Sequence, residues 1–318
     1  MSTKFKVLTI GDAMITMNPL STGPLRYVTT FERKVGGAEL NFAIGCARLG
    51  LHTKWVSRLG NDEFGRVIYN FARGEGVDVS EVKFVEGHPT SLNFKEIREG
   101  GDGKTFYYRL NSPILTLESE DISDGILEGV DIIHLTGVYL AIDPQNLRIV
   151  KKLIELAKKK GVPISFDPNI RLKLWTIEEA RAIYEKILPH VDILLTGLDE
   201  IRLITGKDSN EELAQVAMHY NIKDFVIKDG ANGSKLYRNN QWHSAEAFSV
   251  NVVDTVGAGD GFDAGYIYGF VNGFKPDELL KFANGIGAIV TTVSGDNEGL
   301  PYLDEVKAFV NDEEIIER

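Results

Sequence analysis

The chain has a single cysteine, Cys46, among 318 residues, so an intrachain disulfide is excluded. Its neighbours Phe42, Ala43, Ile44, Ala47 and Leu49 form an apolar helical stretch, where a buried structural thiol in a reducing, cytoplasmic compartment is expected. Long apolar runs are missing as well. None approaches the ~20 residues a membrane helix needs, and Met1 to Lys6 leads into a strand-like run without the apolar core of a signal peptide, so neither export nor membrane insertion is expected. The sequon Asn232-Gly233-Ser234 then carries no weight. Positive charge is in short supply, with 35 Lys and Arg against 46 Asp and Glu for a net charge of -11, and no basic stretch offsets it. Nucleic acid and anionic membrane are therefore not expected as partners. An anionic substrate would need positive charge gathered locally. Prolines number only 10 beside 32 glycines, which points to many tight turns.

Familiar phosphate-binding motifs are absent too. Thr205-Gly206-Lys207-Asp208 has the glycine-lysine pair of a P-loop but neither the earlier glycine nor the following Ser/Thr. The first strand runs into Gly11-Asp12-Ala13-Met14, which is not the G-x-G-x-x-G of a dinucleotide fold. The protein-kinase motif set is also missing.

What is present is an alternation. Short β-branched runs at 7–10, 55–59, 132–135, 163–166, 193–195 and 225–227 are separated by helix-length segments such as 146–160 and 177–188, whose apolar residues recur every three or four positions. This predicts an α/β fold with a mostly parallel sheet covered by helices on both faces. Two segments break the pattern. Thr16 to Phe31 and Ser91 to Arg109 alternate polar and apolar residues around glycine turns at Gly23 and Gly100-Gly101-Asp102-Gly103, as strands do. They read either as a small β lid over a site or as two surface hairpins. Without a linker or repeat, the chain reads as one domain over residues 1–318, its lid drawn from about 13–35 and 88–112. Near the C-terminus, helices are expected over 257–270 and 277–293. Gly257, Gly261, Gly265 and Gly269 fall on one helix face, which favours close packing against the small residues of the second helix.

The helix start Gly257-Ala258-Gly259-Asp260 carries the chemistry. Free N–H groups and the positive dipole end of a helix make an anion site, and small residues let a phosphate reach it. A carboxylate there repels a phosphate, but it suits the acceptor of a hydroxyl proton during phosphoryl transfer. The tetrapeptide alone leaves a second reading, in which Asp260 complements the helix dipole.

At this point the sequence resembles the ribokinase-like carbohydrate kinases. Gly36-Gly37-Ala38-Glu39-Leu40-Asn41-Phe42-Ala43, Arg58-Leu59-Gly60-Asn61-Asp62-Glu63-Phe64-Gly65 and Asp254-Thr255-Val256-Gly257-Ala258-Gly259-Asp260 match the family's two signatures in the right order. The resemblance covers nearly the whole chain. It implies a three-layer α/β/α sandwich with a small β-sheet lid, with ATP and Mg²⁺ as co-substrate and metal. Asp260 matches the catalytic base, and the amides of Gly257, Ala258, Gly259 and Asp260 match the anion hole. Asp12, Gly36, Gly37 and Asn41 match positions that hold sugar hydroxyls. Lys228, Gly230 and Gly233 match the strand and loop bordering ATP, Asn284 its adenine side, and Asn169 the vicinity of the transferred phosphate. The family's Asn-x-x-Glu becomes Gly197-Leu198-Asp199-Glu200, so Glu200 is kept to serve the metal through water while the amide is lost. A monovalent-cation site near Asp254 is an optional family feature.

Charge decides the substrate class. A sugar acid calls for arginine, whose planar fork pairs with a carboxylate, and at Tyr107, Arg109 and Arg171 the sequence looks most like the 2-keto-3-deoxygluconate kinase subgroup. Leu174-Trp175 and Gly295-Asp296-Asn297-Glu298 fit the same subgroup, with Asp296 a second substrate contact. Phosphorylation of 2-keto-3-deoxygluconate at O6 is the expectation. The alternatives are a fructokinase or other neutral-sugar kinase, with Arg109 a solvated charge and Arg171 a structural ion pair, and a non-catalytic sugar-binding protein on the same fold. Apolar surface left by the lid suggests a homo-oligomer.

Overall fold

A computed structural model describes residues 6–98 and 103–311; Met1 to Phe5 and the expected turn at Gly100-Gly101-Asp102 lie outside the described residues. Along the chain the strands are β1 (Lys6–Ile10), β2 (Met14–Pro19), β3 (Phe31–Gly36), β4 (His52–Gly60), β5 (Val82–Val85), β6 (Leu92–Glu96) and β7 (Lys104–Tyr108). They continue as β8 (Ile132–Thr136), β9 (Ile164–Asp167), β10 (Ile193–Gly197), β11 (Asp224–Lys228), β12 (Ser234–Arg238) and β13 (Gln241–Ala245). The helices are α1 (Ala38–Arg48), α2 (Glu63–Gly74), α3 (Gly137–Ile142), α4 (Asn146–Lys160) and α5 (Ile177–Ile187). After them come α6 (Leu198–Thr205), α7 (Asn210–Tyr220), α8 (Ala258–Val271), α9 (Pro276–Thr291) and α10 (Leu303–Asn311).

The large sheet has the order β13-β12-β11-β10-β9-β8-β1-β4-β5. From β11 to β5 every neighbouring pair is parallel. Both of its faces are buried, and successive strand residues divide between them. Leu8, Ile133, Leu194 and Phe225 pack with α3 to α7, whereas Val7, Ile132, Ile193 and Val226 pack with α1, α2 and α8 to α10. This period-two division of near-continuous apolar strands gives the three-layer α/β/α arrangement anticipated from the alternation.

Strand β1 sits between β4 and β8, pairing Lys6 with His52 and Val7 with Ile132. The chain winds outward from it in both directions, so a crevice opens where the carboxyl ends diverge. Asp12, Thr136, Asp167, Gly197 and Lys228 stand at or just beyond the carboxyl ends of β1, β8, β9, β10 and β11.

The two segments that broke the alternation supply a second sheet of order β3-β2-β6-β7. Its first pair starts at Met14 and runs back to Gly36, within a residue of the expected 13–35 segment. Between the two strands lies a short 3-10 turn, Leu25–Tyr27, entered through Pro24. The antiparallel hairpin β12–β13 was not separated out in the sequence. It turns at Asn239 and Asn240, both left-handed with φ of 52° and 61°, the conformation of a two-residue hairpin turn.

Helix α8 packs on α9 through its glycine stripe. A Cβ at Gly265 would stand 2.6 Å from Ile286 Cδ1 and 3.2 Å from the Ala283 Cα, too close for the backbones to stay as they are. Gly265→Val is expected to lose about 1–3 kcal/mol through overpacking. Urea unfolding would read this as a lower midpoint with an unchanged slope.

Candidate active site

The start of α8 depends on Gly257. Its φ of +78° is left-handed, and a Cβ there would collide with the Asp296 carbonyl, so only glycine fits. The Ala258 N–H donates to Thr255 O (3.3 Å) and the Gly261 N–H to Gly257 O (2.9 Å). The amides of Gly259 and Asp260 are left at the open end of the helix. Gly257, Gly259 and Asp260 line a cleft of about 810 Å³ in the crevice beneath the small sheet, whereas Ala258 does not.

Two amides hold the Asp260 carboxylate. Asn41 Nδ2 donates to Oδ2 (2.9 Å) from the first turns of α1, and Asn169 Nδ2 approaches Oδ1 (3.4 Å) from beyond β9. Burial pushes Asp260 up to about 6, the Asn41 amide opposes this, the nearby Asp167 charge adds to it, and Arg171 and Lys228 pull it back. Asn169 is itself left-handed, at φ 40°, and Asp167 fixes it by accepting its backbone N–H (3.0 Å) and its Nδ2 (3.2 Å).

Behind this pair lies a buried charge cluster. Lys228 Nζ bonds Asp167 Oδ2 (3.1 Å) and Asp263 Oδ1 (3.0 Å). Asp263 stands one helical turn after Asp260, on the same side of α8. Burial alone would lower the Lys228 ammonium; the carboxylates of Asp167, Asp263 and Glu200 more than reverse this and keep it charged. Burial likewise works to raise Asp167, but the Lys228 charge beside it leaves it below the usual range. Asp263, with burial dominant and Asp167 adjacent, is pushed up. Lys228 still lines the cleft, and Gly259 sits close above it, with a built Cβ 3.8 Å from Nζ.

The opposite wall comes from the small sheet. Thr105, Tyr107 and Arg109 all line the cleft, as the alternation along β7 requires. Arg109 is not a solvated charge: its side chain is 11% exposed and Nη2 pairs with Asp12 Oδ2 at 3.1 Å. Asp12, raised by burial against the pull of Arg109, also accepts from Ser91 (3.3 Å) and Ser112 (3.1 Å). Asp12 Oδ1 and Arg109 Nε are buried without a partner among the described residues. Arg171 is exposed on the rim, makes no ion pair among the described residues, and lies along the carbonyls of Asn169 and Ile170 (3.4 and 3.2 Å). Tyr107 lies between two cations, with the Arg109 guanidinium and the Lys173 ammonium each 6.0 Å from its ring centre.

Gly37, Asn41, Asp296, Asn169 and Glu200 also line the cleft. Glu200 accepts the Ile170 N–H at Oε1 (2.7 Å) and the Gly197 N–H at Oε2 (3.0 Å), so at Gly197 the first turn of α6 is closed by the glutamate alone. Among the described residues no group of three or more His, Cys, Asp or Glu side chains converges to hold a metal. Gly36, Gly230, Gly233 and Asn284 do not line the cleft. A Cβ at Gly36 would collide with the Asp296 carboxylate. Gly233, at φ +88°, leaves no room for a Cβ against Ala245 O, and Asn284 donates to Ala245 O (3.1 Å) and Glu246 O (3.0 Å). Gly233 and Asn284 thus converge on one backbone segment.

Asn93, Lys95 and Glu39 are among the cleft residues not singled out in the sequence. Asn93 and Lys95 face inward from β6, Lys95 pairing with Asp296 at 2.8 Å; the alternation Leu92-Asn93-Phe94-Lys95 was the available signal. Glu39, inside the first signature, is buried and accepts from Thr136 Oγ1. Burial, with Asp260 and Asp12 nearby, pushes it up to about 7 against that hydrogen bond.

This arrangement, an anion cradle with a carboxylate beside it at a switch-point crevice, is that of a phosphoryl-transfer enzyme acting on a hydroxyl compound. The pfkB family carbohydrate kinase model matches residues 4–303, and the chain belongs to that family of carbohydrate kinases. It is 34% identical over 299 residues to the 2-dehydro-3-deoxygluconokinase of Thermoproteus tenax, covering 93% of this chain and 91% of that one. It is 31% identical over 318 residues to the 5-dehydro-2-deoxygluconokinase of Clostridium perfringens, covering 98% and 94%. A crystal structure from E. coli in complex with ATP and Mg²⁺ superposes with a TM-score of 0.90 at 27% identity, covering 97% of this chain and all (100%) of that one.

Removing the cation from the buried cluster leaves two carboxylates facing each other. Lys228→Met is therefore expected to destabilise the protein by about 3–5 kcal/mol. Denaturant titration beside wild type measures it.

Proposed function

We propose that this carbohydrate kinase transfers the γ-phosphoryl group of ATP to the terminal (C6) hydroxyl of 2-keto-3-deoxygluconate, in the cytoplasm. The observation that carries the reading is the position of Asp260: a buried carboxylate, pushed up to about 6 by burial, that lies beside the cradle amides and lines one cleft with Arg109. In the reaction, Asp260 takes the hydroxyl proton as the oxygen bonds to the γ-phosphorus and the bond to the β-phosphate oxygen breaks, releasing ADP. The Gly259 and Asp260 amides, with Lys228 beneath them, stabilise charge on the transferring group.

Mg²⁺, when bound, neutralises charge on the triphosphate. Glu200 fits a role through water, since both of its oxygens already accept backbone N–H groups and no three-residue ligand set stands in the cleft among the described residues. Asp254 likewise accepts from Val256 N–H (3.1 Å) and Gly295 N–H (3.3 Å), and no monovalent cation is invoked there.

Arg109 and Arg171, with Tyr107 placed beside Arg109, support a carboxylate-bearing sugar. The unpartnered Arg109 Nε supplies one donor of the fork, and Asp12 Oδ1 an acceptor for a sugar hydroxyl. Both named relatives act on a dehydro-deoxygluconate, which supports the same class. The Clostridium perfringens relative makes 5-keto-2-deoxygluconate the second candidate.

Asp260→Asn is expected to lower turnover by at least ~100-fold with ATP binding retained, and wild-type-like turnover would defeat the base assignment. Because the base acts ionised and its pKa is raised, wild-type kcat/KM should fall as pH drops through about 6. A coupled assay should give 2-keto-3-deoxygluconate the highest kcat/KM, followed by 5-keto-2-deoxygluconate, with fructose, ribose and adenosine far below. Arg109→Ala should weaken the sugar acids about tenfold or more while changing fructose little. Equal losses on both would count against the carboxylate reading.

A further inference from the structure

The loop after α9, residues 294–298, lies against both the small sheet and the base. On the sheet side, Lys34 Nζ donates to Ser294 O (3.1 Å) and pairs with Glu298 (3.3 Å). Lys95 pairs with Asp296 (2.8 Å), and Asn297 Nδ2 donates to Val35 O (2.7 Å) at the end of β3. On the base side, Asn297 Nδ2 also donates to Asn41 Oδ1 (3.3 Å), and Asn41 Nδ2 donates to Asp260 Oδ2 (2.9 Å). Asn297 is 1% exposed and lies behind the cleft lining, so it acts on the cleft only through its neighbours.

An asparagine amide has a donor end and an acceptor end, and nothing intrinsic decides which way it faces. Here the decision passes along a line of three groups. Val35 offers a backbone carbonyl, which can only accept, so the Asn297 amide must turn its NH₂ toward it. That NH₂ then also meets Asn41, which must answer with its carbonyl oxygen. The Asn41 NH₂ is left facing Asp260, whose ionised carboxylate is acceptor-only. Reversing the Asn297 amide would set oxygen against oxygen twice, and reversing the Asn41 amide would set NH₂ against NH₂ at Asn297 and oxygen against oxygen at Asp260.

We propose that Asn297 is a positioning residue: it fixes which end of the Asn41 amide faces Asp260 and so ties the orientation of the base to the root of the small sheet. This rests on the reading of Asp260 as base. The charged groups facing Asp260 are Asp167 from β9, Arg171 from the segment after it, Lys228 from β11 and Glu39 from α1. None of them is touched by a substitution at 297.

A carboxyl group at 297 cannot donate to Val35 and Asn41 together. Asn297→Asp should therefore move the acid limb of kcat/KM upward by about one to two pH units, the equivalent of losing a charge-assisted hydrogen bond. KM for ATP should hold. Asn297→Ala should move the limb the same way by less, and in an Asn41→Ala background neither substitution should move it further. A second readout does not depend on turnover. The Asn41 side-chain amide resonances of the ligand-free protein should follow the titration of Asp260 and cease to do so in Asn297→Asp. An Asp260→Asn enzyme of normal turnover would defeat the base reading and leave this amide chain standing. Any one of four results overturns the proposal: an unmoved acid limb, an equal shift in the Asn41→Ala background, resonances that titrate identically in the variant, or loss of the fold in both 297 variants.

Discussion

The buried ammonium of Lys228 joins three elements at the floor of the cleft. It draws Asp167 at the end of β9 and Asp263 in the second turn of α8 to the carboxyl end of β11, and so sets the helix that begins the cradle against the sheet that forms its floor. The carboxylates that hold the lysine also direct it, since an ammonium paired on two sides is not free to swing into the cleft. Asp167 passes the constraint on through Asn169 to Asp260. The cost of burying these charges is offset only while the set stays complete.

Charge in the cleft is arranged by the same logic. An acidic protein that takes two anionic substrates, as proposed for this kinase, must hold its own carboxylates off them. Here Asp12 is paired with Arg109, Asp296 with Lys95, and Asp167 with Lys228. Glu39 and Asp260 lack a cation at hydrogen-bond distance, and burial pushes both toward neutrality, as it does the paired Asp12 and Asp263. Each carboxylate in the site is thus compensated by a neighbour or moved toward its uncharged form.

Much of this was legible in the sequence because it depends on local pattern. The β-branched runs became the parallel strands, Gly261, Gly265 and Gly269 met the side chains of α9 and its surroundings, and Gly257 to Asp260 formed a helix start within the cleft. Most of the residues named through the resemblance gather in that cleft. What the sequence concealed depends on pairing across long separations. Nothing near Lys228 announces that Asp263 and Asp167 will share it, and nothing near Asn41 announces Asn297, 256 residues away. The polar alternation in β6 marks Asn93 and Lys95 as facing one way, but only the neighbouring strand shows that this way is inward. At the β12–β13 hairpin the local signal is the pair Asn239-Asn240, whose left-handed backbone makes a two-residue turn.

The place of β1 has a kinetic side. Strand β1 lies inside the sheet between β4 and β8, yet β8 begins only at Ile132, and the contact between Asn41 and Asp260 spans 219 residues. Closing such long loops is slow, because their entropy must be surrendered before the distant contacts repay it. The crevice therefore has one wall until β8 emerges and no Asp260 until α8 does. Catalytic competence is among the last properties this chain acquires as it folds, well after the first half of its sheet can pair.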